Sequence, residues 1–376
     1  MTIQFNRRNI LRAATTGALL TASGATSAAF AKTAPAAETT LLGPKPGVAL
    51  LARNENPYGP SPKAQEAIQY GGSKGAYYPD AAGQKLMEMI AERHSLTPDQ
   101  ITVSTGSGEV LSAIALAYGE KGKILAPDLF WDTTALYAER KGATIVRAPM
   151  KPDLSVDLDA MEAMVDDSIS LVHICNPNNP TGEVLDADKL RAFCKRVSKK
   201  ATVLIDEAYN EITDDPDKNS MIDLVRKGHN IIITRTFSKI YGMAGVRMGY
   251  AMTSPEKTKV LRDYVMSWVS GVGLVAAIAC YADHDFMSFS KGKIVEARQM
   301  VFDAVKANNL DYFPSQTNFV FVKLPGSAED FRAKMADRGI LIRGIYGDNT
   351  NWSRVSMGYI EDVERYVKAL PQVLNA

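Results

Sequence analysis

The segment Thr236-Phe237-Ser238-Lys239 is followed, eight residues after the lysine, by Arg247 in Gly245-Val246-Arg247-Met248-Gly249-Tyr250. A lysine that attacks a carbonyl must be neutral part of the time, so it needs a desolvated place or positive charge nearby. Arg247 supplies such a charge and a two-pronged donor for a phosphate. The hydroxyls of Thr236 and Ser238 add donors for the same group. A second cluster, Asp206-Glu207-Ala208-Tyr209, ends the apolar run Thr202-Val203-Leu204-Ile205. An acid at the carboxyl end of a strand serves many α/β enzymes, often on a metal. A third, Asn176-Pro177-Asn178-Asn179-Pro180-Thr181-Gly182, follows Leu171-Val172-His173-Ile174 and is rich in turn residues. Taken singly, each cluster also has a plain reading: a capped strand or surface lysine, a metal-bound acid, a tight loop.

These clusters need elements to hold them. From about residue 61 short apolar runs alternate with helix-like segments. Ile101–Ser104, Lys123–Ala126, Thr144–Arg147, Ile169–Ile174, Thr202–Asp206 and Ile231–Thr234 read as buried strands. Gly108–Tyr118 and Asp186–Lys199 read as helices between them. The alternation predicts an α/β domain with a mostly parallel sheet flanked by helices, whose ligands bind at the strands' carboxyl ends. All three clusters stand just past such ends. From about Ser254 the pattern becomes long and helical, through Ala276 to Ala304. A smaller α+β unit follows: Phe319–Val322, a helix near Glu329–Arg338, Ile340–Arg343, Ser353–Ser356 and a last helix from Asp362. The expected division is 1–31, a leader; 32–60, an N-terminal arm; 61–260, the large domain; and 261–376, a linker helix with the small C-terminal domain.

Composition narrows the function further. The chain of 376 residues is 46% hydrophobic and 23% charged, which excludes a disordered chain. Its formal charge of +1 gives no reason to expect nucleic acid. Three cysteines without a CxxC and four scattered histidines argue against a disulfide framework and a metal site. The N-terminus differs from the rest. Asn6-Arg7-Arg8-Asn9-Ile10-Leu11-Arg12 precedes a mildly apolar stretch ending in Ala29-Phe30-Ala31, and residues 1–31 hold no acid. This resembles a twin-arginine (Tat) export signal. It implies passage through the Tat machinery after folding, with a periplasmic or exported mature chain. The stretch is too polar and short for a stable spanning helix, and no other segment could span a membrane.

The order NPNNPTG, DEAY, then TFSK with an arginine eight residues on resembles the class I and II aminotransferases of fold type I. Within them it is similar to the histidinol-phosphate aminotransferase branch, from about Asn54 to the C-terminus. The resemblance implies pyridoxal 5'-phosphate held by Lys239 as a Schiff base. It also implies Asp206 on the pyridine nitrogen, Tyr209 and Asn179 on the phenolic oxygen, and Thr236, Ser238 and Arg247 on the phosphate. Gly106, Ser107 and Gly108 match the loop whose N–H groups hold that phosphate. Trp131 matches the ring stacked on the pyridine, with Phe130 as the alternative, because Pro127-Asp128-Leu129-Phe130-Trp131 departs from the usual pattern by two residues. Tyr78 matches a tyrosine that reaches the partner subunit's phosphate, which implies a homodimer with shared sites. Asn56, Arg354 and Arg343 match substrate contacts, Arg354 at the α-carboxylate and Arg343 at a distal acidic group. The activity so implied is a ping-pong exchange of an amino group between an amino acid and a 2-oxo acid. A decarboxylase or lyase on the same scaffold would share every cofactor residue, and a non-catalytic binding protein would keep only the fold. Histidine biosynthesis is cytoplasmic, so an export signal separates this chain from that role, and aromatic, basic and dicarboxylic substrates all stay open.

Overall fold

The six runs of Ile, Val and Leu expected as strands become six strands of a single seven-stranded sheet. The computed structural model describes residues 40–375, so the expected export signal lies outside the described residues. Ala49–Leu51 is β1 and pairs elsewhere. The large sheet comprises β2 (Ile101–Thr105), β3 (Lys123–Pro127), β4 (Ile145–Ala148), β5 (Ile169–Cys175), β6 (Thr202–Asp206), β7 (Ile231–Thr236) and β8 (Met248–Met252). Their spatial order is β2-β8-β7-β6-β5-β3-β4. The pairs from β7 through β6, β5 and β3 to β4 are parallel, whereas β8 runs antiparallel to both β2 and β7. A parallel sheet covered on both faces must be apolar throughout. β6 and β7 are buried at every residue and apolar along Val203–Ile205 and Ile231–Ile233, with polar residues gathered at their carboxyl ends.

The helix Gly106–Gly119 is apolar nearly all round, whereas other helices on the sheet carry their apolar residues on one side. In Ala187–Val197 these are Leu190, Phe193, Cys194 and Val197, spaced three or four apart so that they share a face. The Asp186 side chain caps its N-terminus by accepting from the N–H groups of Asp188 (3.1 Å) and Lys189 (2.9 Å). The long helical stretch expected after Ser254 is broken into three helices, Pro255–Asp263, Gly271–Tyr281 and His284–Ala307. The breaks fall at Ser270, whose hydroxyl accepts from the Gly273 N–H, and at Asp283.

The C-terminal α+β unit has two small ribbons. β9 (Phe319–Lys323) pairs antiparallel with β11 (Trp352–Ser356), and β10 (Ile340–Ile342) pairs parallel with β1. The sequence suggests a plain tail through Leu50. Instead, Ala49 and Leu51 are fully buried against β10 and draw the arm across the molecule. That pairing brings residues 52–54 beside the carboxyl ends of β5, β6 and β7.

Candidate active site

The carboxyl ends of β2, β5, β6 and β7 enclose a cavity of about 160 Å³. Ser107, Gly108, Trp131, Asn179, Asp206, Tyr209, Thr236, Ser238, Lys239 and Arg247, all singled out from the sequence, line it together with Cys175 and Ala208. It opens into an outer cavity of about 560 Å³ that shares Trp131, Asn179, Tyr209 and Lys239 and adds Asn54, Arg343, Tyr346 and Arg354.

The alternation of side chains along β6 and β7 sorts the chemistry. Asp206 faces the cavity from the last position of β6, buried to 3% exposure, and the Thr234 hydroxyl donates to it at 3.1 Å. Its neighbour Glu207 points to the opposite face and meets Arg235, with Nη2 at 2.7 Å and Nε at 3.1 Å. Ser220 and the Met221 N–H complete the Glu207 carboxylate. The buried pair ties the ends of β6 and β7 from behind. Burial raises Asp206 to about 6, against the pull of Thr234 and Lys239. Burial lowers Lys239 to about 8, helped by the cations of Arg354 and Arg247. A lysine amine so placed is neutral for a useful fraction of the time at mild pH. Its Nζ donates to the Asn54 carbonyl at 3.2 Å and lies 5.5 Å from the Tyr209 ring centre.

The opposite end of the cavity collects donors. The helix Gly106–Gly119 begins there, and its first N–H groups have no partner within the helix. Gly106 has φ +70, and a Cβ at that position would lie 2.3 Å from Nη2 of Arg247. Arg247 itself has φ +63 and is tied at Nη1 to the Ala244 carbonyl at 2.9 Å. Behind the loop, Gly249 of β8 allows the Ser107 backbone to approach; a Cβ there would meet the Ser107 nitrogen at 2.2 Å. The Thr236 and Ser238 hydroxyls are bonded to each other at 2.9 Å. A helix N-terminus, two hydroxyls and a guanidinium form a cradle for a phosphate. With an acid, a phenol, an amide and an amine along the cavity, the donor set fits pyridoxal 5'-phosphate.

Tyr209 is held from two sides. Arg354, always a donor, gives Nη1 to Asn179 Oδ1 at 2.6 Å, so the Asn179 amide nitrogen faces the Tyr209 oxygen at 3.3 Å. The Asn54 amide nitrogen donates to the same oxygen at 3.0 Å. Burial raises the Tyr209 phenol well above its ordinary range, so it keeps its proton. Arg354 is buried, gives Nη2 to the Ala52 carbonyl at 2.9 Å, and has a buried Nε without a partner among the described residues.

Other expected residues fall in different places. Trp131 lines both cavities, whereas Phe130 borders only the outer one and packs edge-on to His173, with ring centres 5.1 Å apart. Arg343 is exposed on the outer cavity wall, its guanidinium 5.6 Å from the Tyr346 ring centre. Tyr78 is 80% exposed beside Trp268 and lines neither cavity. Asn56, expected at the substrate, lies away from both; its amide nitrogen donates to the Ile240 carbonyl (2.9 Å) and to the Ser290 hydroxyl (2.6 Å). The arm residue at the site is Asn54. The motif Asn54-Glu55-Asn56-Pro57 pointed to the right segment but not to the right asparagine. Tyr346 and Cys175 carried no sequence signal.

The profile of the family "Aminotransferase class I and II" matches residues 46–370. The histidinol-phosphate aminotransferase of Brevibacillus brevis is 33% identical over 86% of this chain and 90% of its own length. Histidinol-phosphate aminotransferase 2 of Pseudomonas aeruginosa is 34% identical over 86% of this chain and 88% of its own. Among solved structures, the histidinol-phosphate aminotransferase of Sinorhizobium meliloti in complex with pyridoxal-5'-phosphate superposes with a TM-score of 0.79 at 29% identity, covering 87% of this chain and 91% of that one.

Proposed function

Since the chain belongs to the class I and II aminotransferases, which use pyridoxal phosphate to move an amino group between amino acids and 2-oxo acids, we propose that Lys239 is its reacting amine and Arg354 its carboxylate clamp. The convergence of Lys239, Asp206, Tyr209 and Arg354 on two joined cavities supports this reading. When bound, the cofactor supplies an aldehyde and an electron-accepting ring that stabilises negative charge at the substrate Cα. The remaining work falls to the chain. Asp206 holds a proton on the ring nitrogen. Tyr209 donates its hydroxyl to the ring oxygen beside Asn179. Trp131 walls the ring, and Gly106, Ser107, Gly108, Thr236, Ser238 and Arg247 hold the phosphate. Lys239, freed by the substrate amine, would take the Cα proton as general base and deliver it to the cofactor carbon that carried the aldehyde. Arg354, on the wall of the outer cavity, offers its guanidinium to the substrate carboxylate.

The relatives are named for histidinol phosphate, and Arg343 on the outer wall suits a distal phosphate or carboxylate. We assign an amino acid substrate with export of the folded enzyme, directed by residues 1–31. The active form is a homodimer in which the exposed Tyr78 reaches the partner's cofactor phosphate. Exposed Tyr78 and Trp268, with ring centres 5.7 Å apart, offer apolar surface for that contact. The test is a visible spectrum of the mature holoenzyme before and after each member of a panel of L-amino acids. One substrate should convert the bound cofactor to its amine form, and a 2-oxo acid should restore it. Release of carbon dioxide or ammonia without exchange would refute transamination. Retention of the full chain in the cytoplasm of its host would refute export.

A further inference from the structure

We propose that Asn54 is a positioning residue that fixes the direction of the Tyr209 hydroxyl and couples it to the strand carrying Arg354, a reading that rests on the role given to Tyr209 above. Asn54 has φ +57, a left-handed conformation that asparagine tolerates better than most residues. It is buried to 1% exposure, and its polar atoms are committed to three separate parts of the molecule. Its N–H donates to the Ser356 hydroxyl at 2.9 Å, which leaves that hydroxyl to donate back to Asn54 Oδ1 at 2.7 Å. Its carbonyl accepts from Asn318 at 2.9 Å and from Lys239 at 3.2 Å.

The exchange with Ser356 settles which way the Asn54 amide points. Oδ1 faces β11, so Nδ2 must face Tyr209, as its 3.0 Å contact shows. On the other side Arg354 fixes the Asn179 amide in the same manner, again with nitrogen toward Tyr209. The phenol oxygen therefore accepts twice, and neither neighbour can take its proton. The hydroxyl has to donate into the cavity, toward the ring oxygen. Ser356 stands two residues from Arg354 on the same strand. A carboxylate docking on Arg354 thus acts on Tyr209 along a hydrogen-bonded route through Asn179, while Ser356 and Asn54 tie the same strand to the phenol. The charged and titratable groups facing Tyr209 and Lys239 are Arg354, Arg247, Asp206, Glu55 and Cys175, and none of them is altered in the test.

The test uses the holoenzyme and reads the pH midpoint of the visible absorbance of cofactor bound at Lys239, alongside kcat and KM. Asn54→Gly keeps the left-handed backbone and removes the amide. Ser356→Ala removes the anchor and leaves Asn54 itself in place, which keeps the test open should Asn54→Gly fail to fold. A donor on the ring oxygen favours its unprotonated form, so both variants should move the midpoint upward. The shift expected for one weakened hydrogen bond is about 0.5–1 pH unit for Asn54→Gly and less for Ser356→Ala. kcat should fall about tenfold in Asn54→Gly while KM for the amino donor changes little. Both shifts should vanish in a Tyr209→Phe background. Unmoved midpoints in both variants, or shifts that persist in Tyr209→Phe, overturn the role of Asn54 alone. A Tyr209→Phe enzyme with an unmoved midpoint overturns the assignment of Tyr209 along with it.

Discussion

Replacing Gly249 by alanine would drive a methyl group into the backbone of the loop that opens the helix Gly106–Gly119. The new Cβ would lie 2.2 Å from the Ser107 nitrogen, 2.6 Å from the Gly106 carbonyl carbon and 2.8 Å from the Ser107 Cα. Ordinary contact begins near 3.4 Å, so the loop must retreat by about 1.2 Å. It cannot yield by rotating a side chain, because all three atoms are backbone. Overpacking of this kind costs about 1–3 kcal/mol. The displaced atoms are those proposed to hold the cofactor phosphate, and hydrogen bonds weaken steeply with misalignment. Cofactor affinity should therefore fall about 10- to 100-fold. Absorbance titration of the cofactor-free protein measures that loss, and thermal unfolding with and without cofactor measures the stability cost. Gly292 provides the control: it is exposed within the helix His284–Ala307, and a Cβ added there would meet nothing within 4 Å. Gly292→Ala should stabilise by about 0.5–1 kcal/mol and leave cofactor affinity unchanged. A Gly249→Ala protein that binds cofactor and melts like the parent would refute the reasoning.

Other expectations follow from the same geometry. Cofactor capture by the empty protein should accelerate with pH through a midpoint near the Lys239 value of about 8, since only the neutral amine attacks; stopped-flow absorbance reads the rate. Asp206→Asn should weaken cofactor binding yet stabilise the empty fold at pH 7 by roughly 2–3 kcal/mol, because Asp206 is raised to about 6 and is ionised there at a cost. That advantage should shrink as pH falls below about 6, where Asp206 takes up its own proton in the folded state; denaturant unfolding across pH tests the sign. Arg235→Met leaves Glu207 and Glu211 buried without their counter-charge and should cost about 3–5 kcal/mol, most of it recovered in Arg235→Met with Glu207→Gln and Glu211→Gln. An unrecovered triple variant would show that the cluster matters through shape and not through charge.

The sequence by itself determined the strands, the clusters of reactive residues and their placement past strand ends. β5, β6 and β7 were legible because parallel strands covered on both faces are continuously apolar, and a run such as Thr202–Ile205 has few other uses. Lys239, Asp206, Tyr209 and Asn179 were legible because the order of their three motifs resembles that of the class I and II aminotransferases, each motif alone having a plain reading. Direction and partnership were not. Periodicity marks which face of an element is buried but not what covers it, so neither the reversal of β8 nor the pairing of β1 with β10 could be read from their residues. The same limit separates Asn56 from Asn54. Both belong to one motif, and only the path of the arm across the strand ends turns Asn54 toward Tyr209 and leaves Asn56 on Ile240 and Ser290. The buried pairing of Arg235 with Glu207 was hidden for a related reason. It joins residues 28 apart in the chain, and only adjacent strands with matched register bring their rear faces together.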